Sequence, residues 1–429
     1  MRHEQEVPTF DLVRCLSRAM DLIDSRMANH HLRVAYICNA MAEELGMDAS
    51  ARELVLTAGT LHDAGAISLG ERLALNEFEA SNVEPHCERG YQFLLAYEPF
   101  HAIARQVRYH HLHWEGGKGE GVSGNPVPLE SHLLHLADRV DSLIDLRKPV
   151  LLQRREICRE LRRYSGSRFR PDLVEAFLGC ACKEYFWLDI VSPTIEPLLA
   201  ASVREGGALL NLEGLLGIAG LFCRVIDFRS RFTAVHSSGV ASVAETLARL
   251  AGLPDKECMK VRLAGKFHDL GKLAVPPEIL EKATRLQQSE RAVMTTHTYH
   301  TYRILESIKG LEEINAWASF HHERPDGKGY PFRISGEEYS FCCRIMSVAD
   351  VFTALTEDRP YRRGMDSRET LNTLLKMAED FQLDNELVAT VRGNFDQMND
   401  ARRSAQSAAL REYEGFTRAT DQGPPIRMP

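Results

Sequence analysis

The sequence predicts an all-α protein built as two tandem helical-bundle domains. Three observations predict it: a set of histidines and aspartates recurs in both halves at nearly fixed spacing, apolar residues return about every 3.6 positions, and strand signals are scarce. The period is clearest in segments 32–45, 51–62, 240–250, 257–268, 287–308 and 367–379, which also carry helix-forming residues. One domain is expected over residues 1–200, a second over 208–410 and a loose tail over 411–429. The junction falls near the Pro- and Gly-containing run "SPTIEPLLAASVREGG" at 192–207.

At 429 residues and 44% hydrophobic content, each half can bury a core of its own. Net charge is −8, from 52 Lys and Arg against 60 Asp and Glu, so no global positive field exists to hold nucleic acid or an anionic membrane. The opening "MRHEQEVPTFDLVRCL" lacks the apolar run of a signal peptide, and the chain is read as cytoplasmic. The most apolar stretch, Leu209 to Ile226, is interrupted by Glu213, three glycines and Arg224. It is therefore read as a half-buried helix at the domain junction, with Leu212, Leu215, Leu216, Ala219, Phe222, Cys223 and Ile226 on one face. The ten cysteines are scattered without paired CxxC spacing, which fits reduced thiols better than a disulfide framework.

The repeat can be followed residue by residue. "HHLRVAYICNAM" (30–41) answers "HSSGVASVAETL" (236–247), with His30, Val34, Ile37 and Met41 matching His236, Val240, Val243 and Leu247. "LHDAG" (61–65) answers "FHDLG" (267–271), and 32 residues separate the first His from the HD pair in both halves. His86 and His297 follow, each 24 residues before a His pair, His110-His111 or His321-His322. "LADRVDSL" (136–143) and "VADVFTAL" (348–355) supply Asp138 and Asp350. The one sizeable difference lies between the HD pair and the next His, 24 residues in the first half against 29 in the second.

Each half thus offers five histidines and two aspartates, and ten of the 17 histidines fall in the pattern. One histidine on an apolar helical face usually hydrogen-bonds within a core, but a convergent set of imidazoles and carboxylates leaves polar atoms that a metal would satisfy. Mixed imidazole and carboxylate ligands suit iron, manganese or zinc. Seven candidates exceed the needs of one four-coordinate ion, and an aspartate can bridge two ions in the arrangement used to split phosphoesters.

"HD" at 268–269 with Gly271-Lys272, then "HHERPDGKGYP" at 321–331, "AD" at 349–350 and "RPYR" at 359–362, resemble the HD-GYP family of metal-dependent phosphohydrolases. The resemblance covers roughly residues 230–400, and the first half resembles a diverged copy. It implies cyclic dinucleotide hydrolysis, most directly of cyclic di-GMP to pGpG and onward to GMP, with cyclic GMP-AMP as the rival substrate. Two divalent transition metals, iron or manganese, would be held by His236, His268, Asp269, His297, His321, His322 and Asp350, with Asp269 bridging. Lys272 would contact the scissile phosphate or assist the leaving oxygen, and Arg324 and Tyr330 would shape the substrate side of the GYP loop. That loop is open to a protein partner and a homodimer is allowed, whereas nucleic acid and membrane partners are not expected. A third metal found in some members needs a Glu four residues before the first His; Phe232 and Arg26 stand there, so a two-metal site is expected.

The first half departs further. Its candidate ligands His30, His62, Asp63, His86, His110, His111 and Asp138 form a second candidate site for additional metals, but Ala66 stands where the other half has Lys272. "LHWEGGKGEGVSG" (112–124) replaces the GYP loop, and Lys118 is the cation there that could stand in. A regulatory or stabilising role is expected for this half. The basic run "RREICRELRRYSGSRFR" (154–170) reads as a solvated helix face. A metal-containing receptor for cyclic dinucleotides that does not turn over is the alternative from another class, and retention of Lys272 and the full GYP loop weighs against it.

Overall fold

A computed structural model describes residues 6–23, 28–66, 71, 75, 78, 83–203, 208–227, 231–358 and 363–422. "RPYR" and Arg26 lie outside the described residues, and Phe232 falls in the first turn of a helix. The chain separates into two compact units, one made mainly from Pro8–Leu209 and one mainly from Leu210–Gly415.

The first unit is framed by α1 (His30–Glu44), α2 (Ala49–Leu61), α3 (Glu84–Leu95), α4 (His101–Arg108) and α5 (Leu129–Ser142). Asp48 caps α2 by accepting from the Ala51 N–H at 2.9 Å. Among the described residues strand is limited here to two-residue segments such as Gly121–Val122, paired antiparallel with Asn125–Pro126. The basic run at 154–170 begins in the helix Val150–Arg163, half of whose side chains are exposed.

The second unit repeats the plan. It opens with α6 (Leu212–Asp227), followed by α7 (Arg231–Leu250), α8 (Asp255–Phe267), α9 (Thr296–Leu305), α10 (Glu312–Ser319) and α11 (Phe341–Thr356). Helix α6 is more buried than the half-buried face expected of it: Ile218, Leu221 and Val225 are covered as well as Leu215, Ala219, Phe222 and Ile226. The helix expected over 287–308 is two helices, Gln288–Met294 and α9, divided at Thr295. A capping box at Gln287 and Glu290 starts the first of them. Residues 411–422, expected as loose tail, continue the helix α12 (Phe395–Gln422).

Glycine explains why the HD signature recurs as HD-x-G. A Cβ on Gly65 would lie 2.1 Å from the His86 carbonyl oxygen, and one on Gly271 would lie 1.9 Å from that of His297. In each unit the turn after the HD pair rests directly on the backbone of the helix that carries the next histidine. Gly59 and Gly265 do the same between paired helices, a Cβ falling 2.8 Å from Ala35 Cα and 2.6 Å from Ala241 Cα. Only a residue without a side chain permits these approaches. Gly271→Ala is therefore expected to lower stability by about 2–4 kcal/mol or to prevent folding. A thermal melt matching that of the parent would count against this packing.

Candidate metal centres

In the second unit the seven candidate ligands converge from α7, the end of α8, α9, the end of α10 and α11. The backbone sets the histidine tautomers. The Nδ1–H groups of His268, His297 and His321 donate to the carbonyls three residues earlier, of Gly265 (2.7 Å), Met294 (2.7 Å) and Ala318 (2.6 Å). A carbonyl only accepts, so Nδ1 carries the proton and each Nε2 keeps a lone pair turned inward.

Asp269 lies between them. Its Oδ2 is 3.2 Å from His268 Nε2 and its Oδ1 is 3.6 Å from His297 Nε2, which is itself 3.4 Å from His321 Nε2. His236 Nε2 reaches Asp350 Oδ1 at 3.1 Å, and His322 Nδ1 is 3.9 Å from Asp350 Oδ2. Burial alone would raise both aspartates. The histidines around them, with Lys272 beside Asp269, hold both carboxylates well below the usual range. Burial pushes His297 down to about 3, which leaves it neutral and able to ligate.

His236 has a different anchor, which the sequence did not disclose. Both carboxylate oxygens of Glu357 lie 3.0 Å from its Nδ1. Burial opposes a charge on this imidazole, but Glu357 and Asp350 outweigh it and push His236 up to about 10. Glu357 in turn accepts from Gln406 Nε2 at 3.0 Å, and Arg402 donates to Gln406 Oε1 at 2.5 Å. Glu357 stands just beyond the last turn of α11, with no spacing cue to link it to His236.

The remaining predicted residues divide. Lys272 Nζ donates to Asp269 Oδ2 at 2.5 Å, and both line a cavity of about 540 Å³ with His236, His297, His322 and Asp350. Tyr330 lines it too, its ring 4.9 Å from that of His322. Arg324 does not line it. Its guanidinium instead donates to Asp326 at 2.7 Å within the loop, which makes it a loop-forming residue by geometry.

The GYP loop turns around Glu323, a residue that sequence reasoning passed over. Its Oε1 accepts from the N–H groups of Phe332 (2.7 Å) and Arg333 (3.0 Å), and its carbonyl accepts from Tyr339. Tyr339 meets Ser347, which donates to the His321 carbonyl at 2.7 Å, so the loop is tied to α11 beside the ligands. A Cβ on Gly329 would fall 2.4 Å from Glu323 Cα.

The first unit assembles the same constellation. Asp63 Oδ1 faces His86 Nε2 (3.4 Å) and His110 Nε2 (3.6 Å), while Oδ2 faces His62 Nε2 (3.6 Å) and His30 Nε2 (3.9 Å). Asp138 Oδ1 is 3.7 Å from His30 Nε2, and Oδ2 is 4.0 Å from His111 Nε2 and bonded to Arg139 at 2.5 Å. His62 and His110 are anchored by the carbonyls of Gly59 and Val107. His30 Nδ1 meets Asp141 at 2.7 Å, and Arg33 binds the same carboxylate through two nitrogens. Burial lowers His62 to about 4.

His62 Nε2, Asp63 Oδ1, His111 Nε2 and, in the second unit, His268 Nε2 are fully buried without a hydrogen-bond partner. Buried polar atoms left in that state are costly, so both ligand sets fit a metal. The centres differ in access: every ligand of the first is at most 4% exposed, whereas in the second His236, Asp269, His297, His322 and Asp350 border the cavity. Lys118, the cation that could stand in there, lies exposed on the turn Glu115–Glu120.

Removing the anchor of His236 isolates the worth of that contact. Glu357→Ala is expected to weaken metal binding in the second unit about 10- to 100-fold. Competition with a chelator measures it, and an unchanged affinity would remove Glu357 from the site.

HD domain models match residues 27–143 and 221–387. The chain is 32% identical over 392 residues to 3'3'-cGAMP-specific phosphodiesterase 1 of Vibrio cholerae, a match spanning 89% of this chain and 91% of that protein. It is 28% identical to 3'3'-cGAMP-specific phosphodiesterase 3 of the same organism over 77% of this chain and 69% of that one. Cyclic di-GMP phosphodiesterase PA4108 of Pseudomonas aeruginosa is 33% identical over 50% of this chain and 48% of its own length. The crystal structure of a V. cholerae cyclic GMP-AMP specific phosphodiesterase, V-cGAP3, shares the fold with a TM-score of 0.64 at 22% identity, covering 95% of this chain and 98% of that one. With two HD domains and a relative this similar along most of its length, the chain belongs to the HD-GYP family of HD metal-dependent phosphohydrolases.

Proposed function

We propose that the second unit hydrolyses a phosphodiester bond of a cyclic dinucleotide with two divalent transition metals, iron or manganese. The observation that carries this reading is the cavity of about 540 Å³ that Lys272, Asp269, His236, His297, His322 and Asp350 all border. Bound there, the metals would supply Lewis-acid stabilisation of the phosphoryl group and an activated water.

The protein's own residues supply the rest. His236, His268, Asp269, His297, His321, His322 and Asp350 would hold the ions. Lys272, 19% exposed at the cavity wall, places a cation where negative charge grows on the phosphate and on the leaving oxygen. Tyr330 offers a ring face against which a nucleobase can rest. Lys282 and Arg285 add positive charge to a lining that also includes apolar Ile279, Leu280 and Leu286, a mixture suited to phosphates and bases together.

Two substrates fit this chemistry. The motif pointed first to cyclic di-GMP, while the two relatives that match over most of this chain are named for 3'3'-cGAMP, and that favours 3'3'-cGAMP as the preferred substrate. The first unit, lacking a lysine at Ala66 and enclosing its ligands, is assigned a stabilising or regulatory part.

Incubating the metal-loaded protein with each dinucleotide tests the proposal. Linear product is expected from both, with the larger kcat/KM for 3'3'-cGAMP; binding without product would make the protein a receptor. Lys272→Ala should keep its metal and lose about 100-fold or more in turnover. Asp269→Ala should lose metal and turnover together. Parent-like turnover in Lys272→Ala would refute the role given to that lysine.

A further inference from the structure

The two units secure the first histidine of each centre in different ways. In the first unit the support is local. His30 Nδ1 meets Asp141, and Arg33, three residues further along the same helix, binds that carboxylate through Nε at 2.5 Å and a terminal nitrogen at 3.0 Å. Three residues after His236 the second unit has Gly239, buried in α7. No side chain leaves α7 at that point, and the space is taken by Gln406 of α12. A Cβ on Gly239 would fall 2.9 Å from Gln406 Nε2 and 3.1 Å from its Cγ and Cδ.

The Gln406 amide is fixed at both ends. Arg402, buried one turn earlier on α12, donates to its Oε1 at 2.5 Å. A guanidinium only donates, so the amide oxygen faces it and the NH2 group is turned the other way. There it donates to Glu357 Oε2 at 3.0 Å, and both Glu357 oxygens lie 3.0 Å from His236 Nδ1. Arg402 is itself held by two bonds to Asn399 Oδ1, at 3.1 Å and 2.9 Å. Ser242, six residues after His236 on α7, donates to the Ala401 carbonyl at 3.1 Å and ties the two helices together at this level.

We propose that Gln406 is a positioning residue for the metal centre of the second unit: it holds the Glu357 carboxylate on His236 and thereby keeps the His236 ring in the orientation that ligation needs. Gly239 is the notch that admits it. The inference rests on the reading of His236 as a metal ligand. A carboxylate that loses a fixed donor turns more freely, and the imidazole it anchors loses its set direction and part of its basicity. Neither Gln406 nor Gly239 borders the cavity, so both act through the ligand and not through contact with a substrate. The rival role for Gln406 is packing alone between α7 and α12.

Two variants of the full-length protein reach the contact from opposite sides. Gln406→Glu keeps the shape and replaces the donor with a second carboxylate facing Glu357. Gly239→Ala leaves Gln406 in place but pushes its amide aside. Alanine favours a helix over glycine, so the melt of the metal-free Gly239→Ala protein is expected to match the parent's or exceed it. Manganese binding by the second unit, in competition with a chelator, should weaken about three- to tenfold in both variants, less than in Glu357→Ala. The metal belonging to this unit is the share that Asp269→Ala lacks by elemental analysis. Parent-like affinity in Gln406→Glu overturns the proposal, and Gly239→Ala decides in its place if that variant does not fold. Weakening found only together with a lower melt would make Gln406 a packing residue and also overturn it. If Asp269→Ala keeps all of the parent's metal, the metal reading of the second unit falls and this inference with it. If Asp269→Ala loses metal while the other two variants bind as the parent does, this inference alone fails.

Discussion

The structure depends on the burial of one aspartate in each unit, Asp63 and Asp269, inside a ring of imidazoles. A carboxylate removed from water costs several kcal/mol unless partners surround it. Here each oxygen faces its own histidines, so the charge is divided between two sides. The helices have to deliver those histidines to within 4 Å from opposite directions. That requirement fixes the close backbone approaches at Gly65 and Gly271, because the turn carrying the aspartate rests on the helix carrying the next ligand.

A second layer of contacts sets the tautomers. Five of the histidines donate Nδ1–H to the carbonyl three residues earlier, a contact available at the end or the start of a helix, where carbonyls are not all taken by helical N–H groups. The first histidine of each set, His30 at the start of α1 and His236 within α7, takes a different partner for Nδ1. Each unit solves this with a carboxylate: Asp141 for His30, backed by Arg33, and Glu357 for His236, backed by Gln406 and Arg402. The two carboxylates come from different positions of the repeat, so the same physical need is met by unrelated residues.

The units part ways in what surrounds equal ligands. In the second, Lys272 and a cavity give the centre a side open to a phosphate, and Glu323 folds the GYP loop against α11 so that Tyr330 borders that opening. In the first, Arg139 is fully buried against Asp138, and the ligands are enclosed. Access and the nearby cation are where the two centres differ.

By itself the sequence determined the helical class, the duplication and the identity of the candidate ligands, because equal spacing of rare, chemically specific residues survives where everything around it has changed. It also showed that Ala66 replaces the lysine of the second half. Only the tertiary structure decided which way side chains turn: Arg324 onto Asp326, Lys118 outward, Glu357 onto His236, Glu323 into its own loop. Each of these depends on a partner far away or on a local backbone turn, and neither leaves a periodic trace. The same holds for the helix break at Thr295 and the continuation of α12 to Gln422. Spacing along a chain can state which residues are able to meet, while the direction of each lone pair and the access of solvent to it are properties of the packed molecule.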